Sequence, residues 1–189
     1  LDFYKKLEER IVVYPASNNI KYHSCFAGGY LYHVNRVVES SLYLTKLYEK
    51  MGANMSTFTT EELVFSALNH DLGKIGSLYE DIYIPSQDKW RIENMGELYT
   101  FNTKLPFMTV PDRSLFLLQQ AEIGVSQNEW IAIKTHDHLF DQANEAYIKP
   151  FTPESRYRSV MSTILQHADQ LSACIEFENQ YQTEKKLVK

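Results

Sequence analysis

The sequence predicts an all-α helical bundle interrupted by a small β-hairpin. Apolar residues recur at helical spacing along most of the chain, and capping residues open the helical stretches at Thr59, Ser126 and Thr152. Between about 79 and 111 the period breaks into prolines and short β-type runs.

The elements follow in order. From Tyr30 to Met51 the positions Leu31, Val34, Val37, Val38, Leu44, Leu47 and Tyr48 form one apolar stripe between polar residues, which predicts an amphipathic helix. Thr59 and Glu62 have the spacing of a capping box, with Phe58 and Leu63 as its hydrophobic staple. That helix runs to His70-Asp71, with Gly73 as its stop. In the insertion, Trp90-Arg91-Ile92-Glu93 and Glu97-Leu98-Tyr99-Thr100-Phe101 read as two strands joined at Asn94-Met95-Gly96 and flanked by Pro85, Pro106 and Pro111. Helices resume from Asp112 to Ile123, closed by Gly124, and again after Ser126, whose partner Glu129 repeats the capping box. A last helix is predicted from Thr152-Pro153 to about Phe177, proline suiting a first helical position.

A chain of 189 residues, 44% hydrophobic and 23% charged, fits one domain spanning 1–189 with the insertion inside it. A net charge of -5 gives no broad basic surface, so long nucleic acid is not an expected partner, although a local pocket can still take a small anion. Cys25 and Cys174 form neither a CxxC pair nor a disulfide framework, which predicts a reduced, cytoplasmic setting without thiolate zinc. No run approaches the length of a membrane span, and the first residues lack the apolar stretch of a signal peptide.

Three strings carry the chemistry: Gly28-Gly29-Tyr30-Leu31-Tyr32-His33, Leu68-Asn69-His70-Asp71-Leu72-Gly73-Lys74 and His167-Ala168-Asp169-Gln170-Leu171-Ser172. In this order, each within a helical pattern, they resemble the HD-domain superfamily of metal-dependent phosphohydrolases. The resemblance implies an HD-type helical bundle with His33, His70, Asp71 and Asp169 as metal ligands. Imidazole nitrogens and carboxylate oxygens suit a divalent metal that keeps positions open for water and substrate. Carboxylates near apolar helix faces otherwise lack partners. The cofactor expected is one divalent metal per site, drawn from Mn, Mg, Co, Ni, Fe and Zn. The segment Tyr14-Pro15-Ala16-Ser17, Lys21-Tyr22-His23 and Gly28-Gly29 is similar to the HD domains of some bacterial 3′-to-5′ exonucleases.

Helical geometry sorts the other histidines. His136 and His138 point about 200° apart on a helix, and His136 shares the face of Ala132 and Ile133, so it is the candidate near metal or phosphate. His167 points equally far from Asp169 and falls in line with Val160, Ile164 and Leu171, which predicts a core histidine. In sequences resembling this one, the residue at Lys74 lies near the substrate phosphate, a use that suits a mobile ammonium. Arg113 and His23 are further substrate-binding candidates, and Tyr22, Trp90 and Tyr99 are candidates to stack on a base.

The function expected is hydrolysis of a phosphoester or phosphoanhydride bond in a nucleotide by metal-activated water. Asp71 and Lys74 are the catalytic candidates: Asp71 positions the water and Lys74 offsets phosphoryl charge. The alternatives are a 3′-to-5′ exonuclease on single strands, for which no added nucleic-acid-binding domain has room, and a non-catalytic nucleotide-binding protein, against which the intact ligand set argues. Residues 79–111 are expected to wall the site or to pack on another subunit of a homo-oligomer.

Overall fold

The computed structural model describes residues 2–149 and 152–187, with side chains described as far as Gln180. It is a helical protein carrying one two-stranded antiparallel hairpin. The helices are α1 (Asp2–Val13), α2 (Gly29–Lys50), α3 (Thr60–Asn69), α4 (Val110–Gln120), α5 (Gln127–Thr135), the short α6 (Glu145–Ile148) and α7 (Met161–Leu187). Strands β1 (Tyr83–Pro85) and β2 (Tyr99–Phe101) pair with Tyr83 opposite Phe101. Among the described residues no helix is long and apolar enough to cross a membrane.

Local chemistry explains most helix starts. Both capping boxes form: Thr59 Oγ1 accepts from the Glu62 N–H while Glu62 accepts from the Thr59 N–H, and Ser126 with Glu129 does the same. Thr109 Oγ1 accepts from the Asp112 N–H, so α4 begins two residues before the predicted Asp112. It ends at Gln120, and Glu122 rather than Gly124 takes the left-handed conformation that turns the chain, with φ 56°.

Three expectations need correction. Trp90–Glu93 is not a strand: residues 91–95 form one wide helical turn closed by Gly96 at φ 72°, and the strand partner of Tyr99–Phe101 is Tyr83–Pro85. Asp88 causes this, because its carbonyl accepts from the Ile92 N–H and its carboxylate from the Arg91 N–H, winding the segment helically. The last helix starts at Met161 and runs on to Leu187; Thr152-Pro153 opens only a single 3-10 turn, Pro153–Ser155. Gly73 does not end α3, whose last residue is Asn69; it lies in the 3-10 turn Leu72–Ile75, where any side chain would strike the Val110 carbonyl of α4.

The core has two apolar clusters. One gathers Tyr14, Tyr30, Val34, Leu72, Ile75, Leu117, Leu118 and Ile133; the other gathers Val37, Leu63, Ala67, Ala132, Met161, Ile164, Leu165 and Ala168. α7 packs along α2 and against α5, and the buried face it presents includes Ala168 and Ser172. Small side chains there let the helix axes come close, with Ser172 Oγ 3.1 Å from Ser40 Oγ of α2. The face chosen is one position away from the stripe of large apolar residues, so His167 is exposed rather than in the core, and its Nδ1 lies 2.6 Å from the Tyr48 hydroxyl. His167→Ala should therefore lower stability by about 1 kcal/mol or less and leave metal content unchanged, checked by denaturant melts and elemental analysis.

The insertion is tied to the rest of the chain on both sides. Arg10 of α1 donates to Asp81 Oδ1 and to the carbonyls of Ile75 and Ser77. On the other side the Tyr99 N–H donates to the Asn18 carbonyl and the Ile20 N–H to the Gly96 carbonyl, joining hairpin to entry loop.

Candidate metal centre

The residues singled out by the three strings meet in space. α2 supplies His33, fixed at its start by Gly28 at φ 85° and by Gly29, whose α-carbon lies so close to the Ser24 carbonyl that any side chain would overlap it. α3 ends at Asn69 with His70 as its cap residue, and Asp71 then turns the chain into Leu72–Ile75, which carries Lys74. Ser114 of α4 clamps this corner: its hydroxyl oxygen accepts from the Gly73 N–H at 2.7 Å and lies 2.9 Å from the His70 carbonyl. Asp169 comes from the third turn of α7, and His136 follows directly on α5.

The donor atoms are spaced as metal ligands are. His33 Nε2 lies 3.0 Å from Asp169 Oδ1 and 3.6 Å from Asp71 Oδ2, while His70 Nε2 lies 3.5 Å from Asp71 Oδ2 and 3.7 Å from Asp169 Oδ1. Ligands bound at about 2.0–2.3 Å in tetrahedral or octahedral arrangement stand roughly 3.0–3.7 Å apart, so these four pairs have the spacing of donors around a cation. His136 Nε2 joins from the other side, 3.7 Å from Asp71 Oδ1. Thus the two oxygens of Asp71 face different imidazoles. His33, His70 and Asp71 form one close donor group, and His70, His136 and Asp169 another.

The histidines are set in the tautomer a metal needs. His70 Nδ1 lies 2.7 Å from the Ala67 carbonyl and His136 Nδ1 2.7 Å from the Ile133 carbonyl. Carbonyls only accept, so both Nδ1 atoms carry the proton and each neutral ring keeps its Nε2 lone pair for the centre. His33 Nδ1 faces the Glu176 carboxylate at 3.2 Å, and Glu176 is held in turn by the Ser24 hydroxyl at 2.7 Å. A carboxylate behind an imidazole orients the ring and raises its basicity toward a metal. Despite the short approach of Asp169, the buried Nε2 atoms of His33 and His70 have no hydrogen-bond partner among the described residues. A buried orphan nitrogen is costly without a ligand, and two aimed at the same carboxylates fit a cation.

Charge follows the same geometry. Burial alone would lower His33, but Asp169 and Glu176 raise it to about 9, and Asp137 with Asp71 raises His136 to about 9 against burial. Burial holds His70 down to about 4. Asp71 is held well below the usual carboxylate range despite burial, chiefly by the Lys74 ammonium 2.6 Å from its Oδ2. Without a cation, then, His33 and His70 differ in protonation at neutral pH. His33 and His136 must lose protons to bind a metal, so affinity should rise as pH goes from 6.5 to 9 and protons should be released. Calorimetry in buffers of different ionisation enthalpy measures this. Folding without metal responds in the opposite sense: these two histidines bind more protons folded than unfolded between 6.5 and 9, so their stabilisation is lost as pH rises through that window. His70 acts below it, where stability falls as pH drops from 6.5 towards 4.

The other predicted residues divide. Lys74 belongs to the centre, paired to Asp71. His23 lies at its edge, its ring 4.4 Å from that of His33 and its Nε2 buried without a hydrogen-bond partner among the described residues. Burial, helped by the charges of Lys74 and His33, lowers His23 to about 4. Arg113 is not drawn into the cluster; it is buried in α4, and its guanidinium donates to the Pro106 carbonyl at 2.6 Å. It shares with Lys74, Tyr83, Phe101 and Phe107 the lining of a cavity of about 440 Å³ walled largely by the insertion. Trp90 and Tyr22 are exposed, and Tyr99 is half-buried.

Sequence reasoning missed Glu176 and Asp137. Glu176 stands seven residues after Asp169 and so shares its helix face, a signal available in the spacing. Asp137 follows His136 directly and brings Oδ1 to 3.6 Å from its Nε2. A search of known proteins, by family model, by curated sequence and by solved structure, finds no match to this chain.

Proposed function

We propose that the chain is an HD-type metal-dependent phosphohydrolase acting on a nucleotide. The observation that carries this reading is the convergence of three Nδ1-anchored imidazoles with the Asp71 and Asp169 carboxylates, beside a lysine, in one buried cluster. His33, His70, Asp71 and Asp169 would hold the cation, and His136 lies in place to support it or the substrate. A divalent cation in this set acidifies bound water and polarises a phosphoryl oxygen.

The chain's own groups do the rest. Asp71 presents Oδ1 on the side away from Lys74, where it can accept a proton and align the attacking water. Lys74 uses one of its three protons on Asp71 and keeps two to hold a phosphoryl oxygen. The cavity of about 440 Å³ that begins at Lys74 and runs between Tyr83, Phe101 and Phe107 is large enough for a nucleoside and has aromatic faces for its base. Lys74→Met should lower kcat by about 10²–10³-fold while metal content is kept, since it removes one positioned cation and no metal donor.

The experiment is a turnover screen. Chelated protein is resupplied with Mn²⁺, Mg²⁺, Co²⁺, Ni²⁺ or Zn²⁺ and offered deoxynucleoside mono- and triphosphates, cyclic nucleotides and short single strands. Metal-dependent release of phosphate or nucleoside from the small substrates supports the proposal. Cleavage of strands alone favours an exonuclease, and stable metal loading without turnover leaves a nucleotide-binding protein.

A further inference from the structure

A second cavity, of about 490 Å³, opens at the N-terminal end of α7, and none of the metal-centre residues lines it. Its wall carries Arg156, Arg158, His138 and His167, and no aspartate or glutamate among the described residues. In a chain of net charge -5 such a one-signed lining selects anions. Neither arginine is in an ion pair among the described residues, so both guanidinium groups are available for a bidentate contact.

Two further features point the same way. α7 is 27 residues long, and its first turn faces the cavity through Ser162 and Thr163, where the positive end of the helix dipole and uncommitted N–H groups favour a negative ligand. Ser162, only 6% exposed, lines the cavity, as does Tyr157, whose hydroxyl is buried without a hydrogen-bond partner among the described residues. A buried hydroxyl without a partner is costly unless a ligand completes it. The rings of Tyr147 and Tyr157 form another wall, suited to a base or sugar.

We infer that this cavity is a second site, separate from the metal centre, for a phosphate-bearing nucleotide, its phosphate held by Arg156, Arg158, Ser162 and the first turn of α7. The site shares a short segment with the metal centre: His136 turns inward to the metal donors, while Thr135 and His138 line the cavity. His138 holds φ 50°, with its carbonyl bound by the Asn144 amide at 3.0 Å, which keeps this segment in one shape.

The test uses the full chain with metal removed by chelation, so that it does not depend on the phosphohydrolase reading. Inorganic phosphate, AMP and adenosine are titrated by calorimetry into the wild type, into Arg156→Ala/Arg158→Ala, into Ser162→Ala and into His70→Ala. The inference requires AMP to bind more tightly than phosphate, adenosine to bind weakly or not at all, and the double arginine variant to lose about tenfold or more in AMP affinity with unchanged circular dichroism and manganese loading. His70→Ala should bind AMP as the wild type does. Absence of AMP binding at millimolar concentration, unchanged affinity in the double variant, or loss of binding in His70→Ala would each overturn it, the last by placing the nucleotide at the metal centre.

Discussion

Asp71→Ala is expected to abolish turnover, to weaken metal binding by more than about 100-fold and to destabilise the protein, three effects from one carboxylate. Outer partners of metal ligands already cost about 10–100-fold in affinity when removed, and Asp71 offers donor oxygen to the centre itself. It is also the partner of the largely buried Lys74 ammonium at 2.6 Å, and breaking a buried pair by deleting one member costs about 3–5 kcal/mol. These losses separate in a double variant. Asp71→Ala/Lys74→Met should regain much of the stability, because the stranded charge is gone, and should remain unable to hold metal. Denaturant melts and metal titration on the four proteins of this cycle measure both terms. If Asp71→Ala binds metal normally, the carboxylate is only the counter-ion of Lys74.

The second large effect concerns Glu176, which touches no proposed substrate. Its carboxylate lies 3.2 Å from His33 Nδ1, accepts from Ser24 and has Arg36 Nε at 3.7 Å. Glu176→Gln keeps the shape but removes the charge that makes His33 a stronger base, so metal affinity should fall about 10–100-fold. The acidity of His33 should change with it: its folded pKa of about 9 depends in part on Glu176, and histidine NMR titration of the metal-free variant should show it lower. A purely structural role would lower stability without moving that titration. Unchanged metal affinity together with an unchanged His33 titration would contradict the arrangement.

The legible parts of the sequence were those where local chemistry decides. Thr59 with Glu62 and Ser126 with Glu129 make their boxes whatever the rest of the chain does, and the stripe from Tyr30 to Met51 has one face to bury. His33, His70, Asp71 and Asp169 were picked out by the resemblance of three strings, and the fold brings them together from α2, the turn after α3 and α7. Where two readings competed locally, tertiary packing chose. α7 turns small Ala168 and Ser172 inward because close approach to α2 outweighs the burial of Leu171, and this placed His167 outside. Residues 90–95 look strand-like by composition, but Asp88 and Gly96 supply both ends of a helical turn. α1 went unpredicted, although its one fully buried residue is Leu7 and Arg10 uses it to anchor the insertion. The sequence did not show that Arg113 donates to the Pro106 carbonyl while lining the cavity that begins at Lys74.

His33, His70, Asp71 and Asp169, from α2, the turn after α3 and α7, are proposed to hold one cation. Crystals grown with Mn²⁺ and measured on both sides of the manganese absorption edge test it most directly. An anomalous peak is expected within about 2.0–2.3 Å of His33 Nε2, His70 Nε2, an Asp71 oxygen and an Asp169 oxygen. A peak bound elsewhere, or none in crystals whose protein binds manganese in solution, would contradict it.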